Sequence, residues 1–332
     1  MKVLVTGASG YLGRAVAEVL RDGGHEVRTL QRRPSTVAGV EDVLGTVTDE
    51  AAVRRATAGR DAVVHLAAKV SLAGDPRDFD RINVEGTRIV LDAARDAGVT
   101  RFVHISSPSV AHAGRSLAGV GADPADPLAA RGDYARTKAA AELLALSRDD
   151  SGMPVVAIRP HVVWGPGDTQ LIERVVDRAR RGTLPLLGDG TALIDTTYID
   201  NAAEAIAAAL DRAEDAHGRA FVVTNGEPRT VAELMTRICA AAGVPAPRWR
   251  VPARVGQAAG SAVERVWGVA ARLRPALFSG EPPMTRFLAE QLSTSHWFDQ
   301  RETRRMLQWA PSVPLDEGFE RLAEHYAGVG NT

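Results

Sequence analysis

The sequence predicts an α/β protein built on a doubly wound parallel sheet, with a smaller mixed α/β lobe after it. Short apolar strands alternate with amphipathic helices through about residue 160, the pattern of βα units that pair in parallel. Three glycines at three-residue spacing follow the first strand and open the first helix. At 332 residues the chain is long for a single core. We therefore expect a core over 1–164 and a second lobe over 165–332, with residues 191–224 returning to the core.

The first strand ends in a glycine turn. Residues 3–5 predict a buried strand, and an apolar pattern at helical spacing begins at Tyr11. Between them, Gly7 permits a turn that a side chain would block, Gly10 lets a pyrophosphate approach the backbone, and Gly13 lets helix and strand pack closely. This is the Rossmann-like context in which a helix N-terminus faces phosphates. The candidate dinucleotide-binding residues of the turn are Gly7, Ser9, Gly10, Tyr11, Leu12 and Gly13.

The end of the second strand, at 26–30, indicates which dinucleotide binds. An Asp or Glu there holds a ribose 2′-hydroxyl, whereas an Arg accommodates a 2′-phosphate. Residues 31–35 contain Arg32 and Arg33 and no acid. Because a guanidinium pairs with phosphate through two hydrogen bonds, we expect NADP(H) in preference to NAD(H), held by Arg32. Arg33 fits equally well a solvated position in the loop.

The alternation of strands and helices continues along the chain. We expect further strands at 41–45, 61–66, 101–106, 155–159, 192–198 and 221–224. We expect further helices at 79–97, from 133 onward, and at 171–181, 201–211 and 230–242. Ala67 and Ala68 end the fourth strand, where small side chains suit a ligand passing overhead. Asn83 and Gly86 both weaken the helix at 79–97, so a kink or a site is expected near Asn83.

Composition excludes several classes of function. With 40 basic and 41 acidic residues, the net charge of −1 gives no bulk field for nucleic acid or an anionic membrane. The single Cys239 excludes a multi-cysteine metal site, and we expect no metal. We expect no signal peptide, because the apolar run at the start is short and is broken by Thr6-Gly7, and we expect no membrane span, because no run of about 18 apolar residues occurs. A cytoplasmic protein is the expectation.

Tyr134 and Lys138 lie four residues apart on the helix that begins near residue 133, so both project from one face. A cation beside a phenol favours the phenolate, and we expect Lys138, together with the cationic ring of an oxidised nicotinamide, to lower the pKa of Tyr134. The pair can then exchange a proton with a carbonyl or alcohol while a nicotinamide carries the hydride. Ser107, which follows the neighbouring strand, supplies a hydroxyl for the same oxygen. Ser106 and Ser109 are its rivals for that role.

Residues 255–273 predict an amphipathic helix among prolines. Its apolar face consists of Val255, Ala259, Val263, Val266, Trp267, Ala270 and Leu273. Packing on its own domain explains such a face. A lid over an apolar substrate, a contact with a partner enzyme and a peripheral contact with a membrane surface explain it equally well.

In their order and spacing, these motifs resemble the extended short-chain dehydrogenase/reductase family. The segments that carry the resemblance are Thr6-Gly-Ala-Ser-Gly-Tyr-Leu-Gly13, His65-Leu-Ala-Ala68, Asn83-Val-Glu-Gly-Thr87, Ser106-Ser107, Tyr134-Ala-Arg-Thr-Lys138, Trp164-Gly-Pro-Gly-Asp168 and Thr197-Tyr-Ile-Asp-Asn201. The resemblance implies that Tyr134 is the acid–base catalyst and that Lys138 binds the nicotinamide ribose. It implies that Ser107 polarises the substrate oxygen and that Asn83 supports a proton-relay water. It also places Ala67, Ala68 and Pro160 at the cofactor.

One departure from the family concerns the adenine. Family members often have Gly-Asp after the third strand, with the Asp near the adenine amine. This chain has Gly45-Thr46 there. The usual contact between an Asp and the adenine amine is therefore not expected in this chain. The departure does not change the expected fold.

Three further segments resemble the 3β-hydroxysteroid dehydrogenase-like branch of the family. They are 107–115, 158–168, and the tail segments Glu281-Pro-Pro-Met-Thr-Arg286 and Ser295-His-Trp-Phe-Asp299. Within that branch they are most similar to the bacterial 2-alkyl-3-oxoalkanoate reductases of olefin biosynthesis. The resemblance implies reduction of a lipid-like β-keto acid with NADPH by a homodimer that works beside partner enzymes. Lys69 and His161 are candidates to meet the carboxylate, and Trp164 is a further candidate substrate contact.

Three other functions remain open on the sequence. A sterol or steroid 3β-hydroxy dehydrogenase would use the same site in the opposite direction. A nucleotide-sugar epimerase or dehydratase would keep a tightly bound NAD, which Arg32 in place of an acid disfavours. A non-catalytic NADP(H)-sensing scaffold would not need Ser107, Tyr134 and Lys138 together.

Overall fold

The computed structural model describes residues 1–71, 74–111, 116–273, 289–290 and 292–329. The motif at 281–286 and the stretch 112–115 lie outside these residues, so their part in the resemblance is not placed. Among the described helices, none is both long enough and apolar enough to cross a membrane.

The strands, numbered along the chain, are short. They are β1 Lys2–Thr6, β2 Glu26–Gln31, β3 Glu41–Leu44, β4 Ala62–His65, β5 Arg101–Ile105, β6 Leu117–Val120, β7 Val155–Pro160, β8 Val163–Trp164, β9 Leu186–Leu187, β10 Leu193–Ile194, β11 Thr197–Tyr198, β12 Arg219–Val223, β13 Arg229–Thr230, β14 Arg250–Val251 and β15 His296–Phe298.

The helices alternate with them. They are α1 Tyr11–Asp22, α2 Glu50–Thr57, α3 Pro76–Phe79, α4 Gly86–Asp96, α5 Gly132–Leu146, α6 Ile172–Arg180, α7 Ile199–Asp211, α8 Ala213–Ala216, α9 Val231–Ala241, α10 Ala253–Leu273, α11 Arg301–Leu307 and α12 Leu315–Val329. A π-helical turn, Asp80–Glu85, joins α3 to α4, and a 3₁₀ turn occupies Pro108–Ala111.

Seven parallel strands form the main sheet, in the order β12-β7-β5-β4-β1-β2-β3. Along β1, Val3 and Val5 enter one apolar core with α1 and α7, whereas Leu4 enters the opposite core with α2 and α4. Since successive side chains of a strand point to opposite faces, such strands carry helices on both faces. The doubly wound α/β class predicted from the sequence is confirmed, and the parallel strands bring their carboxyl ends to one edge.

The expected weak point of the long helix is a π-helical turn. Asn83 lies in this turn and Gly86 begins α4 directly after it. A Cβ on Gly86 would lie 2.7 Å from Val47 Cγ2, so the small residue permits the close packing of this helix. π-helical turns occur frequently at functional sites, and this one presents Asn83 to α5.

The second half builds a separate apolar core around α6, α9 and α12, with Trp164 and Tyr198 among its members. A four-stranded sheet in the order β13-β10-β15-β6 combines three strands of this half with β6, which comes from the first half of the chain. The single strand expected at 192–198 is wrong in detail, because Asp195 and Thr196 interrupt it and β10 and β11 join different sheets. The strand expected at 221–224 is β12, which forms an edge of the main sheet.

Candidate functional site

The glycine turn after β1 has the shape that a dinucleotide requires. Gly7 has a φ of +81°, a backbone conformation that residues with a side chain rarely adopt. A Cβ on Gly13 would lie 2.3 Å from the Gly7 carbonyl oxygen, so only glycine allows α1 to start this close. Ser9 and Gly10 are exposed at the N-terminus of α1. This cradle fits a pyrophosphate on the helix N-terminus.

Tyr11 and Leu12 belong to this turn through their backbone only. Both side chains pack against the core of the second lobe. A Cβ on Gly165 would lie 2.8 Å from Tyr11 Oη, so the phenol passes beneath that glycine. The Tyr11 side chain therefore ties the turn to the second lobe.

Arg32 and Arg33 are exposed just beyond β2. The nearest acid of the neighbouring strand is Asp42, whose carboxylate is occupied by the loop itself. It accepts hydrogen bonds from Gln31 Nε2 at 2.9 Å and from the Ser35 backbone N–H at 3.0 Å. The loop is thus held in place with an arginine, and not an acid, presented at its start.

Small residues line the end of β4, as expected. Ala67 and Ala68 are half-buried, and the Ala67 N–H donates to Thr6 Oγ1 at 3.1 Å. The next residue, Lys69, donates its backbone N–H to Asn83 Oδ1 at 2.7 Å. The Asn83 Nδ2 group donates to Thr137 Oγ1 at 3.0 Å. Asn83 therefore connects the end of β4 to α5, next to Lys138.

Ser107 and Tyr134 meet at the end of β5, where a hydrogen bond from Ser107 reaches the phenol oxygen. Ser109 donates its hydroxyl to Ser107 Oγ at 3.0 Å, and its backbone N–H also donates to that atom, at 3.3 Å. Since Ser107 Oγ accepts from Ser109, its own hydrogen is left to point at Tyr134 or at a substrate oxygen. Sequence reasoning treated Ser109 as a rival of Ser107, whereas the structure makes it a supporting neighbour.

Lys138 is buried beside β5 and donates from Nζ to the Ile105 carbonyl oxygen. Burial lowers the pKa of Lys138 to about 8, with the Glu142 carboxylate opposing this shift. His65 and His104 lie nearby, with ring centroids 5.7 Å apart. Burial lowers the pKa of both rings, that of His65 to about 3, so both are neutral beside the ammonium.

The pKa of Tyr134 departs from the expectation. Burial raises it, and the Ser107 hydrogen bond opposes the rise. The lowering expected from Lys138 together with an oxidised nicotinamide is not seen in the protein alone, because the ammonium donates to the Ile105 carbonyl oxygen and desolvation dominates at the phenol. At neutral pH the Tyr134 phenol is therefore protonated.

A cavity of about 260 Å³ opens beside Ser107 and Tyr134. Its walls are mostly apolar. They come from helices α9 and α12, from Leu171 and Ile194, and from Leu292 just before β15. They include Leu117, Leu171, Ile194, Leu234, Met235, Ile238, Leu292, Phe298 and Phe319. Among the lining residues that the structure describes, none is Lys, Arg, Asp or Glu. The cavity suits an apolar molecule whose oxygen meets the two hydroxyls.

His161 lines this cavity, as do Pro160 and Trp164. The next residue, Val162, has a φ of +45°, a strained backbone conformation for a β-branched side chain. This sharp turn ends β7 and begins β8, which positions the buried His161 ring between Asp195 and Phe298. His161 Nδ1 donates to the Asp195 carbonyl oxygen at 2.6 Å, and the ring lies 5.1 Å from that of Phe298.

Lys69 and Trp164 have different surroundings from those expected. The Lys69 ammonium pairs with Asp78 at 3.2 Å and lies 4.9 Å above the Phe79 ring, and Lys69 is not among the lining residues. Trp164 Nε1 donates to Thr196 Oγ1 at 2.8 Å, so only its apolar ring faces the cavity. The structure thus brings His161, but not Lys69, to the side of Tyr134.

Known proteins resemble the chain along its length. The NAD dependent epimerase/dehydratase family matches residues 3–224. The chain is 41% identical over 331 residues to a 2-alkyl-3-oxoalkanoate reductase of Stenotrophomonas maltophilia, covering 97% of this chain and 98% of that protein. It is 29% identical to a 3-beta-hydroxysteroid dehydrogenase of Mycolicibacterium neoaurum, covering 100% and 93%.

A solved structure gives the same result. A short-chain dehydrogenase/reductase superfamily protein from Agrobacterium tumefaciens with bound NAD has a TM-score of 0.76 at 25% identity, covering 99% of this chain and 98% of that one. The family match includes the glycine turn, Ser107, Tyr134 and Lys138. The chain therefore belongs to the NAD dependent epimerase/dehydratase family, the extended short-chain dehydrogenases/reductases, and is an NAD(P)-dependent oxidoreductase.

Proposed function

We propose that this protein reduces the ketone of a lipid-like 2-alkyl-3-oxo acid to the 3-hydroxy acid with NADPH. The observation that carries the proposal is the placement of Ser107 and Tyr134 at an apolar cavity whose described lining residues include no Lys or Arg. The similarity to a 2-alkyl-3-oxoalkanoate reductase over nearly the whole of both chains supports this substrate class.

The cofactor would lie along the carboxyl edge of the main sheet. The Gly7–Gly13 turn would hold the pyrophosphate, Arg32 the 2′-phosphate, and Ala67, Ala68 and Pro160 would leave room for the nicotinamide half. When bound, NADPH supplies the hydride to the ketone carbon. The exposure of Arg32 and the engagement of Asp42 by its own loop support NADPH over NADH.

Tyr134 would donate the proton to the ketone oxygen. The raised pKa keeps the phenol protonated at neutral pH, which suits reduction more than oxidation. Ser107 would donate a second hydrogen bond to the same oxygen, and Ser109 would hold the Ser107 hydroxyl in the required direction. As negative charge develops on that oxygen, both donors stabilise it.

Lys138 and Asn83 would support Tyr134 from behind. The Lys138 ammonium donates to the Ile105 carbonyl oxygen, and with a cofactor bound it would also bind ribose hydroxyls and stabilise a phenolate as it forms. Asn83 fixes the end of β4 against α5 through Lys69 and Thr137. Its Oδ1 atom retains a lone pair for a relay water.

The cavity would receive an alkyl chain of the substrate. Burying each methylene group of the chain against the apolar walls would stabilise the bound state by about 0.8 kcal/mol. His161 lines the cavity beside Tyr134 and would lie next to the carboxylate of the substrate.

The other functions fit the cavity less well. A nucleotide-sugar substrate carries a diphosphate, and the lining residues that the structure describes offer it no cation. A non-catalytic sensor does not explain the Ser109–Ser107–Tyr134 arrangement. A steroid fits an apolar cavity, and the similarity to a 3-beta-hydroxysteroid dehydrogenase keeps it as the second candidate.

A substrate and cofactor panel tests the proposal. The loss of nicotinamide absorbance is followed with a 2-alkyl-3-oxo acid, a 3-ketosteroid and no substrate, with NADPH and NADH in parallel. We expect turnover with the 2-alkyl-3-oxo acid and NADPH. A higher kcat/KM for the ketosteroid would replace the proposed substrate by the second candidate.

A further inference from the structure

The outer face of α10 carries an exposed apolar stripe. Val255 is 56% exposed and Val266 is 68% exposed, and Ala259 and Ala262 between them are exposed as well. At about 100° per residue, these four positions fall on one side of the helix. Helices of a globular domain normally turn such a stripe to the core.

The opposite side of α10 is already packed on the second lobe. Gly256 and Gly260 are buried, and a Cβ on Gly256 would lie 2.9 Å from Leu187 Cδ2. Gln257 Nε2 donates to Ser293 Oγ at 3.2 Å. The lobe therefore buries one side of α10, and the apolar residues of the helix extend beyond that side onto its exposed surface. Of the alternatives left open by the sequence, packing on its own domain therefore does not account for Val255 and Val266.

The chain leading into α10 is basic and carries an exposed indole. Arg248, Arg250 and Arg254 are exposed, and the sequence from 248 to 266 contains four arginines and a single acid, Glu264. Asp189 lies within electrostatic reach of Arg250 and offsets one of these charges, which leaves the surface net positive. Trp249 is 46% exposed, while its Nε1 group donates to the Gly182 carbonyl oxygen at 3.3 Å.

We propose that residues 248–266 form a docking surface for an anionic lipid membrane. Arginines, an indole with a satisfied N–H and an apolar stripe on a packed helix are the chemistry of interfacial binding, in which the helix lies in the plane of the headgroups. A second copy of the chain is the alternative occupant, and the experiment below distinguishes it from a membrane.

Docking at this surface would help a lipid-like substrate to reach the cavity, an inference that rests on the proposed function. Gln257 of α10 contacts Ser293, and the adjacent Leu292 lines the substrate cavity. An apolar substrate dissolved in the bilayer would then reach the cavity without crossing much water.

Flotation of the full-length protein with vesicles tests the docking surface. Vesicles of equal parts phosphatidylglycerol and phosphatidylcholine are compared with vesicles of phosphatidylcholine alone. We expect binding to the anionic vesicles that falls as salt rises. The variant Arg248→Gln/Arg250→Gln/Arg254→Gln should bind more weakly by roughly fivefold for each arginine removed. Val255→Glu/Val266→Glu should lose binding by at least about tenfold, because each Glu places a charge in the apolar stripe.

A matched control distinguishes binding through this surface from nonspecific binding of any exposed apolar residue to vesicles. Leu128 is 99% exposed elsewhere on the molecule, so Leu128→Glu should float as the wild type does. Equal flotation of wild type and Val255→Glu/Val266→Glu would overturn the proposal, as would flotation with neither vesicle. A concentration-dependent dimer that the same valine variant abolishes, without vesicle binding, would overturn it in favour of self-association.

Turnover distinguishes failure of docking from failure of the proposed function. With a short-chain, water-soluble 2-alkyl-3-oxo acid, the valine variant should keep wild-type kcat/KM. With a long-chain substrate presented in anionic vesicles, its rate should fall with its vesicle binding. Vesicle binding by a protein that turns over neither substrate would leave the docking surface intact and reject the substrate class.

Discussion

Ser109 donates its hydroxyl hydrogen to Ser107 Oγ across 3.0 Å, on the wall of the apolar cavity that Tyr134 also lines. This bond fixes Ser107 as the acceptor of the pair. The hydrogen of Ser107 is therefore available to Tyr134 or to a substrate oxygen. Ser109 acts through Ser107 and is a positioning residue.

Replacing Ser109 by Ala should slow the reduction by roughly threefold to tenfold, the worth of one ordinary hydrogen bond. The loss should fall on kcat more than on KM, because Ser107 would still bind the substrate but with a less well directed hydroxyl. Steady-state kinetics measures both constants. Ser109→Thr keeps the hydroxyl and should recover most of the rate, whereas Ser107→Ala should lose more than Ser109→Ala does. Equal rates for the Ser109→Ala variant and the wild type would remove Ser109 from the site.

Tyr134→Phe should reduce turnover by roughly 10²- to 10⁴-fold, the usual contribution of a positioned proton donor. The variant keeps the ring and removes only the hydroxyl that faces Ser107. Its affinity for NADPH, measured by fluorescence titration, should stay near the wild-type value. Turnover close to normal would reject Tyr134 as the donor.

The reduction rate should fall as pH rises through about 8. Burial sets the pKa of Lys138 near 8. Below that pH Lys138 is an ammonium that stabilises the forming phenolate, and above it the charge is lost. The measurement is kcat/KM against pH for the wild type and for Lys138→Met. The variant should be slow at every pH and lack this descending limb. An unchanged limb in Lys138→Met would assign the titration to another group.

Parts of this site were predictable from the sequence because their physics is local. α1 cannot pack this close to the Gly7 carbonyl oxygen with a side chain at Gly13. Tyr134 and Lys138 share a face because they are one helical turn apart. An Asn weakens a helix at any interior position, and Asn83 lies in a π-helical turn at the expected weak point. Each of these inferences needs only the backbone geometry of a single segment.

Other parts depend on where distant segments meet. The pKa of Tyr134 is set by burial, which no spacing of residues reveals. The separation of Lys69 from the cavity follows from its pairing with Asp78 on α3. The strained turn at Val162 has no signature, since a β-branched residue normally avoids positive φ. The apolar cavity draws its walls from both halves of the chain, so no periodicity predicts it.

Arg32→Ala should weaken NADPH binding by about 1.5–3 kcal/mol, the scale of a hydrogen-bonded contact to a charged group. NADH lacks the 2′-phosphate, so its binding should change little. Titration of both cofactors against both proteins measures the difference. Arg33→Ala is the matched control, because it removes a neighbouring charge in the same loop. Equal losses for NADPH and NADH would contradict a 2′-phosphate contact.

Met235→Trp should shift the enzyme toward shorter alkyl chains. Met235 lies on α9, is almost fully buried and lines the cavity, so an indole there takes space from the substrate. Each methylene displaced from an apolar pocket changes kcat/KM by roughly tenfold or more. The measurement is kcat/KM over a series of 2-alkyl-3-oxo acids of increasing length. Met235→Ala enlarges the same cavity and should shift the optimum toward longer chains.

Two comparisons separate this effect from loss of the fold. Leu128→Trp adds the same indole at a fully exposed position and should leave the chain-length profile unchanged. Thermal unfolding of each variant identifies any overpacking, which typically costs about 1–3 kcal/mol. If folded Met235→Trp and Met235→Ala proteins both kept the wild-type profile, the alkyl chain would not lie in this cavity. The assignment of its apolar walls to substrate would then be wrong, even with Tyr134 as the proton donor.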